Sequence, residues 1–381
     1  MAADLSKHAK QTFQIVSLLA TVMVVGIHYK TDVPNTPSVH DATWNELLQE
    51  FWLGGIARVA VPMFALTAGL FYFRSDDGTW ACYRKKFSQR CRTIAFPYFV
   101  VASIAMASWL LMQRLQSQPV DMNVAEFLSA WMLRPPAEQL WFLRDLMILV
   151  AITPLIGCST ATPIRAVITA TGLTAAWMLN WQPLPIVAGW HVLQMETLLF
   201  FTVGCIASRR ISWINSIVHW PARCSVALCG IWGGLVAIRV WMRADFDIWY
   251  LNDYSLSSLL VHQCSIVVGC LAIFAVASRL CARPLLRLSG VSFFVFLIHE
   301  FPPRAVVERL VETVGDPSLS CWIVFPIVAA SCYALGDWIS KTSPTSFAIL
   351  TGGRTPARAE ELSGRERIVA PVDQARERFA S

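Results

Sequence analysis

"TFQIVSLLATVMVVGIH", Thr12 to His28, is an apolar run of 17 residues closed by a histidine. As a helix it is about 26 Å long, enough to cross most of a hydrocarbon core of roughly 30 Å. Lys7 and Lys10 precede it, which imitates a secretory signal. The run ends in His28-Tyr29-Lys30 with no small-residue cleavage site, so it reads as a retained first membrane span.

Nine further runs of similar character follow, which places ten candidate spans at about residues 12–28, 51–73, 94–112, 141–157, 164–180, 190–207, 223–241, 259–278, 285–300 and 320–339. The composition agrees: of 381 residues 55% are hydrophobic and 15% charged, with 16 Trp, 21 Phe and a mean hydropathy of +0.51. A soluble domain carries roughly 25% charged residues. The chain therefore reads as an all-α, polytopic membrane bundle over residues 1–340, followed by a polar, basic and disordered tail over 341–381. The net charge of +6 is read through its placement among the loops, not as a nucleic-acid footprint. The eleven cysteines contain no CxxC pair and no zinc-type spacing, so they read as free thiols packed among apolar residues.

Loop charge gives an orientation. With the N-terminus inside, the cytoplasmic loops before the tail hold fifteen Lys and Arg and the opposite loops six, and the bias holds loop by loop. Both termini are then cytoplasmic, and the histidine that closes the first span shares the outer side with His299, which closes "FFVFLIHE", Phe293 to Glu300.

Ionisable groups inside spans cost about 2.5 to 3.5 kcal/mol each at a helix centre, so each calls for a reason. Counted along the helices, Arg58 lies about 10 Å and Glu196 about 9 Å below the outer end, a level that suggests a buried ion pair. Arg144, Asp145 and His262 fall at a similar depth, with His28, His191 and His299 above them. One outward-opening polar cavity would gather them all. A histidine there is suited to taking a proton from a hydroxyl, and arginines to holding an anion or a developing oxyanion. HExxH, GxSxG, Walker and Rossmann patterns are missing from the sequence. "GGLVAIR", Gly233 to Arg239, reads as a small-residue packing site.

Five strings in order carry a resemblance: the first span ending in His28, "ARVAVPMFALTAGLFYF" from Ala57, "RKKFSQRCRTIAFPYF" from Arg84, "LWFLRDL" from Leu140 and "VSFFVFLIHE" from Val291. Together they resemble the acyltransferase-3 family of integral membrane acyltransferases over about residues 12–340. That resemblance implies about ten spans and transfer of acetyl or related groups to sugars of surface glycans. It makes His28 the leading catalytic histidine and suggests roles for Arg58, Arg90, Trp141 and His299. Two positions depart from the pattern: Ser17 stands where a basic residue is common, and Ala68 where Ser is common before Gly69.

The resulting expectation is an O-acyltransferase of the inner, cytoplasmic membrane moving acetyl from acetyl-CoA to a hydroxyl of a glycan or lipid-linked oligosaccharide. His28 serves as general base, His299, Arg58, Arg144 and Glu196 complete the catalytic set, and Trp141, His191 and His262 contact the acceptor. Lys85, Lys86, Arg90 and Arg92 are the candidates for the CoA phosphates, although a basic loop also serves topology alone. No metal and no bound cofactor is implied; acyl-CoA is a substrate. The rival reading is a transporter for an anionic or sugar-linked solute, against which stands the lack of half-to-half symmetry.

Overall fold

The computed structural model describes residues 4–30, 43–182, 186–187, 190–242, 255–301, 303–304, 306–307 and 317–354. They form a helical bundle built around α1, Lys7–His28. Ser6 caps it, its Oγ accepting the Ala9 N–H at 3.1 Å, and the Ser6 N–H donates to Asn215 Oδ1 at 3.0 Å. The helix packs against α3 (Ala60–Arg74), α13 (Leu256–Ala277), α14 (Arg283–Ser289), α15 (Ser292–Ile298) and α16 (Pro317–Thr342).

The second apolar run is not a plain helix. It begins with α2 (Trp44–Gln49), widens to a π-helical segment at Glu50–Gly55, tightens to 3-10 at Ile56–Val59 and only then enters α3. Gly54 permits this: a Cβ there would lie 2.4 Å from the Glu50 carboxylate, so only glycine lets that carboxylate fold against the main chain. The third run repeats the device, with α4 (Trp80–Arg90), a π segment at Cys91–Ala95 and α5 (Phe96–Leu115). Such segments often mark functional sites, because they re-aim side chains away from regular helical register.

α3 makes its closest contact with α10 (Met195–Ser208), and small residues set the approach. A Cβ at Gly69 would stand 2.1 Å from the Phe201 carbonyl oxygen, and one at Gly204 2.2 Å from that of Leu66. The two backbones touch, which larger side chains forbid. α12 (Ala222–Met242) and α13 form a second close pair. The outside of the bundle is apolar, with Ile104, Val167, Val226, Ile238 and Ile323 all exposed, the surface expected to face lipid.

Each of the ten expected runs contains helix, but they do not make ten regular spans. Among the described residues six helices are long and apolar enough to cross a bilayer, or up to eight if two bent pairs each count as one. Those pairs are Glu138–Ala151 with α8 (Thr153–Ser159), bent by 62°, and Met195–Ser208 with α11 (Ile211–Ile217), bent by 98°. The expected span at 164–180 is α9, Pro163–Met178, of 16 residues. That at 285–300 is broken into α14 and α15 around Gly290 and Val291.

Three local expectations are corrected. The sixth run was counted from Trp190, yet Trp190–His191 pairs antiparallel with Ile186–Val187 in a two-residue ladder and the helix begins at Met195, so Glu196 lies in its first turn. Arg58 sits in the 3-10 segment, so its depth does not follow from counting α-helical rise. The ordered fold also runs past 340: α17 (Pro344–Leu350) packs Phe347 against Phe294, rings 5.6 Å apart, and only 1% of Phe347 remains exposed. All eleven cysteines are free thiols, of which Cys205, Cys270, Cys321 and Cys332 are buried and Cys158 and Cys264 exposed.

Candidate active site

The two Ile-His endings meet. The rings of His28 and His299 are 5.2 Å apart, centre to centre, and Tyr29 donates from its hydroxyl to the His299 carbonyl at 2.9 Å, tying the end of α1 to the end of α15. His299 is fully buried. Its Nδ1 faces the Val295 and Phe296 carbonyls at 3.1 and 3.0 Å. Two acceptors at one nitrogen fix the proton on Nδ1 and leave Nε2 as a lone pair, and Nε2 has no hydrogen-bond partner among the described residues.

Two carboxylates complete this end of the bundle. Ligand atoms of His28, Glu138 and Glu300 all lie within 4.8 Å of one another. Glu300 is buried, accepts the Glu138 N–H at 3.0 Å and faces Arg304 at 3.7 Å. The same three groups could hold a cation. Arg304 already answers one Glu300 oxygen, however, and the arrangement equally suits carboxylates that steady a protonated His28. Gln139, next to Glu138, donates to the Leu297 carbonyl at 3.0 Å and locks the entry to α7 (Trp141–Ala151) against α15.

Arg58, in the 3-10 segment that packs on α1 and α13, is within electrostatic range of His28, Glu196 and His262. The expected Arg58–Glu196 ion pair is not formed. Glu196 instead accepts from Trp177 Nε1 at 3.2 Å, and its other oxygen is buried without a partner among the described residues. His262 is buried in α13 with its Nδ1 likewise unpartnered among them. Arg144 points elsewhere: it donates to Asp145 at 2.9 Å and to the Leu133 carbonyl at 2.9 Å, while Asp145 accepts the Gln194 N–H at 3.0 Å. That network joins α6 (Val124–Leu133), α7 (Trp141–Ala151) and the entry to α10. Trp141 is half-buried at the start of α7 beside Phe142. The side chain of His191 lies outside the described residues.

A second buried ion pair involves residues that composition and spacing do not single out. Glu50, fully buried in the π segment, accepts from Lys30 Nζ at 2.5 Å and from Arg239 Nη2 at 2.6 Å, and Arg239 Nη1 donates to the Gly54 carbonyl at 3.0 Å. Lys30 follows His28 by two residues, so this triad anchors the end of α1. The signal was present: Arg239 stands inside an apolar helix, where an unpaired guanidinium is costly. Its place in the Gly-rich string "GGLVAIR" drew the reading toward packing.

An apolar cavity of about 480 Å³ lies next to this site. Val16, Ser17 and Thr21 line it along α1, and Phe64, Phe142 and Phe296 close it on the His28 side. The Phe296 ring is 6.1 Å from that of His299. At the far end stand Arg90, Tyr72 and Arg354. Of the other expected CoA contacts, Lys86 is engaged by the Tyr72 carbonyl at 2.7 Å and Asp76 at 3.2 Å, while Lys85 and Arg92 border a separate groove.

The acyltransferase-3 family model, described as an acyltransferase domain, matches residues 16–341. The succinoglycan biosynthesis protein ExoH of Rhizobium meliloti (strain 1021) is 23% identical over 375 residues, covering 90% of this chain and 93% of that protein. No solved structure matches.

Proposed function

Because this chain belongs to the acyltransferase-3 family, we propose that it transfers a short acyl group, acetyl foremost, from acyl-CoA to a hydroxyl of an exported glycan. The name of the ExoH relative directs the choice of acceptor toward an exopolysaccharide or its lipid-linked precursor. The observation that carries the reading is the His28–His299 pair beside the Phe296 wall of an apolar cavity that two arginines also line.

In the proposed reaction His28 takes the proton of the acceptor hydroxyl as its oxygen bonds to the thioester carbonyl carbon. The carbonyl π electrons move to oxygen, and Arg58 and Arg304, both within electrostatic range of His28, stabilise the oxyanion. When the intermediate collapses the C–S bond breaks, and the CoA thiolate receives the proton held on His28. Glu138 and Glu300 favour the imidazolium in between. His299, a lone-pair acceptor at Nε2, orients an acceptor hydroxyl. The orientation read from loop charge puts the arginine end in the cytoplasm of an inner membrane and the histidine end outside. An acyl-pantetheine arm extended through the cavity then brings a cytoplasmic thioester to an outward acceptor. Trp141 and His262 remain candidate acceptor contacts, and Lys85, Arg90 and Arg92 candidate donor contacts.

Membrane vesicles containing the protein and given acetyl-CoA labelled in the acetyl group test this. Label that becomes base-labile in the glycan fraction supports the reading; uptake of an unmodified solute with no ester formed contradicts it and favours transport.

A further inference from the structure

Two cavities share a wall at the end remote from His28. The wall is the π segment Cys91–Ala95 and the turn after α17. Gly352 and Gly353 adopt φ of +67° and +86°, the left-handed region open to glycine, and the Gly353 N–H returns to the Ala348 carbonyl at 2.6 Å. A Cβ at Gly352 would lie 2.6 Å from the Thr93 Cα, so the turn is seated directly on the π segment. Its effect is to aim Arg354 inward. Arg354 Nη1 donates to the Thr93 and Thr351 carbonyls at 2.7 and 2.6 Å, and the guanidinium lies 3.7 Å over the Phe293 ring.

That geometry fixes one face and one nitrogen and leaves Nε and Nη2 without a partner among the described residues. Arg90, lining the same cavity, makes no hydrogen bond or ion pair among them. No carboxylate lines this cavity or the adjoining groove of about 1050 Å³, where Lys85 and Arg92 add further positive charge. Burial and the neighbouring Arg90 bring Arg354 down to about 10, so it stays charged at neutral pH but in an unfavourable setting. Two guanidinium groups facing one acid-free space call for an anion, and phosphate suits their fork geometry.

We propose that Arg354 and Arg90 form a phosphate clamp at the mouth of the cavity, and that the groove beside Lys85 and Arg92 seats the remainder of the donor's phosphorylated end. The inference rests on the acyl-CoA reading above and adds a donor-binding residue from beyond residues 16–341, the part that matches the family. A lipid phosphate is the other source of the same chemistry.

Protein in phosphatidylcholine nanodiscs is titrated with coenzyme A and with pantetheine, which lacks the phosphates. The wild type should bind coenzyme A at least 10-fold tighter than pantetheine. Arg354→Gln, which keeps an amide donor for the Thr93 carbonyl, should weaken coenzyme A about 10-fold or more and leave pantetheine unchanged. Equal coenzyme A affinity in a folded Arg354→Gln overturns the clamp. So does a loss confined to stabilisation by phosphatidylglycerol, which assigns the site to lipid. Should that variant not fold, phenylglyoxal labelling of wild-type Arg354 decides: protection by coenzyme A but not pantetheine is required, and equal labelling overturns the proposal. A wild type that binds no coenzyme A and transfers no label instead defeats the donor reading itself.

Discussion

Removing the charge of Glu50 is the most severe single change the architecture offers away from the histidines. Glu50 is 0% exposed and answers two cations, Lys30 at 2.5 Å and Arg239 at 2.6 Å. Breaking a buried pair from one side costs about 3–5 kcal/mol, because the remaining charge is left in a low-dielectric interior. Glu50→Leu leaves both cations, and Arg239 keeps only the Gly54 carbonyl and its other contacts. A loss near 5 kcal/mol is therefore predicted. Arg239→Met still leaves Glu50 its bond to Lys30 and should cost about 3 kcal/mol. In the double variant Lys30, with 14% of its side chain exposed, can carry its ammonium to the surface. The double loss should then be about 5 kcal/mol in total, a coupling of about 3 kcal/mol. Equilibrium unfolding in mixed micelles, read by thiol labelling of the buried Cys270, Cys321 and Cys332, gives the three values. Losses that add to within about 0.5 kcal/mol would refute the triad as an energetic unit.

Other consequences follow from the same contacts. Arg90→Gln should raise the KM for acetyl-CoA several-fold, whereas Lys86→Gln, whose ammonium is held by Asp76 and the Tyr72 carbonyl, should leave it unchanged in steady-state assays. Asp145→Asn should lower thermal stability by about 3 kcal/mol by weakening the Arg144 network, with kcat per folded molecule retained. Gly204→Val should abolish accumulation of folded protein, measured by fluorescence size exclusion, because its Cβ would stand 2.2 Å from the Leu66 carbonyl oxygen.

The helical bundle was legible because apolar length is read directly off the chain: each of the ten runs contains helix. What escaped was where helices widen, break or turn. The π segment at Glu50–Gly55 depends on a carboxylate resting against Gly54, and the α14–α15 break on a single Gly-Val junction, neither of which alters the hydropathy of its run. The meeting of His28 with His299 followed from topology, since two span ends assigned to one side need only neighbouring helices. Pairing of charges did not follow. Depth counted along ideal helices matched Arg58 with Glu196, whereas the non-α segments and the late start of α10 give Glu196 to Trp177 and Arg239 to Glu50. Arg354 was hidden for a different reason: it lies in a basic stretch with the composition of a tail, and only the glycine turn at 352–353 brings it back to the bundle.

The ester content of the exported glycan, measured by mass spectrometry in a deletion strain carrying either the wild-type chain or His28→Ala at equal membrane abundance, tests the central claim most directly. The account predicts that the wild type restores the ester and that His28→Ala lowers the transfer rate by about 10²- to 10⁴-fold, leaving the glycan essentially unmodified. Ester restored by His28→Ala to the wild-type level and at the wild-type rate would contradict it.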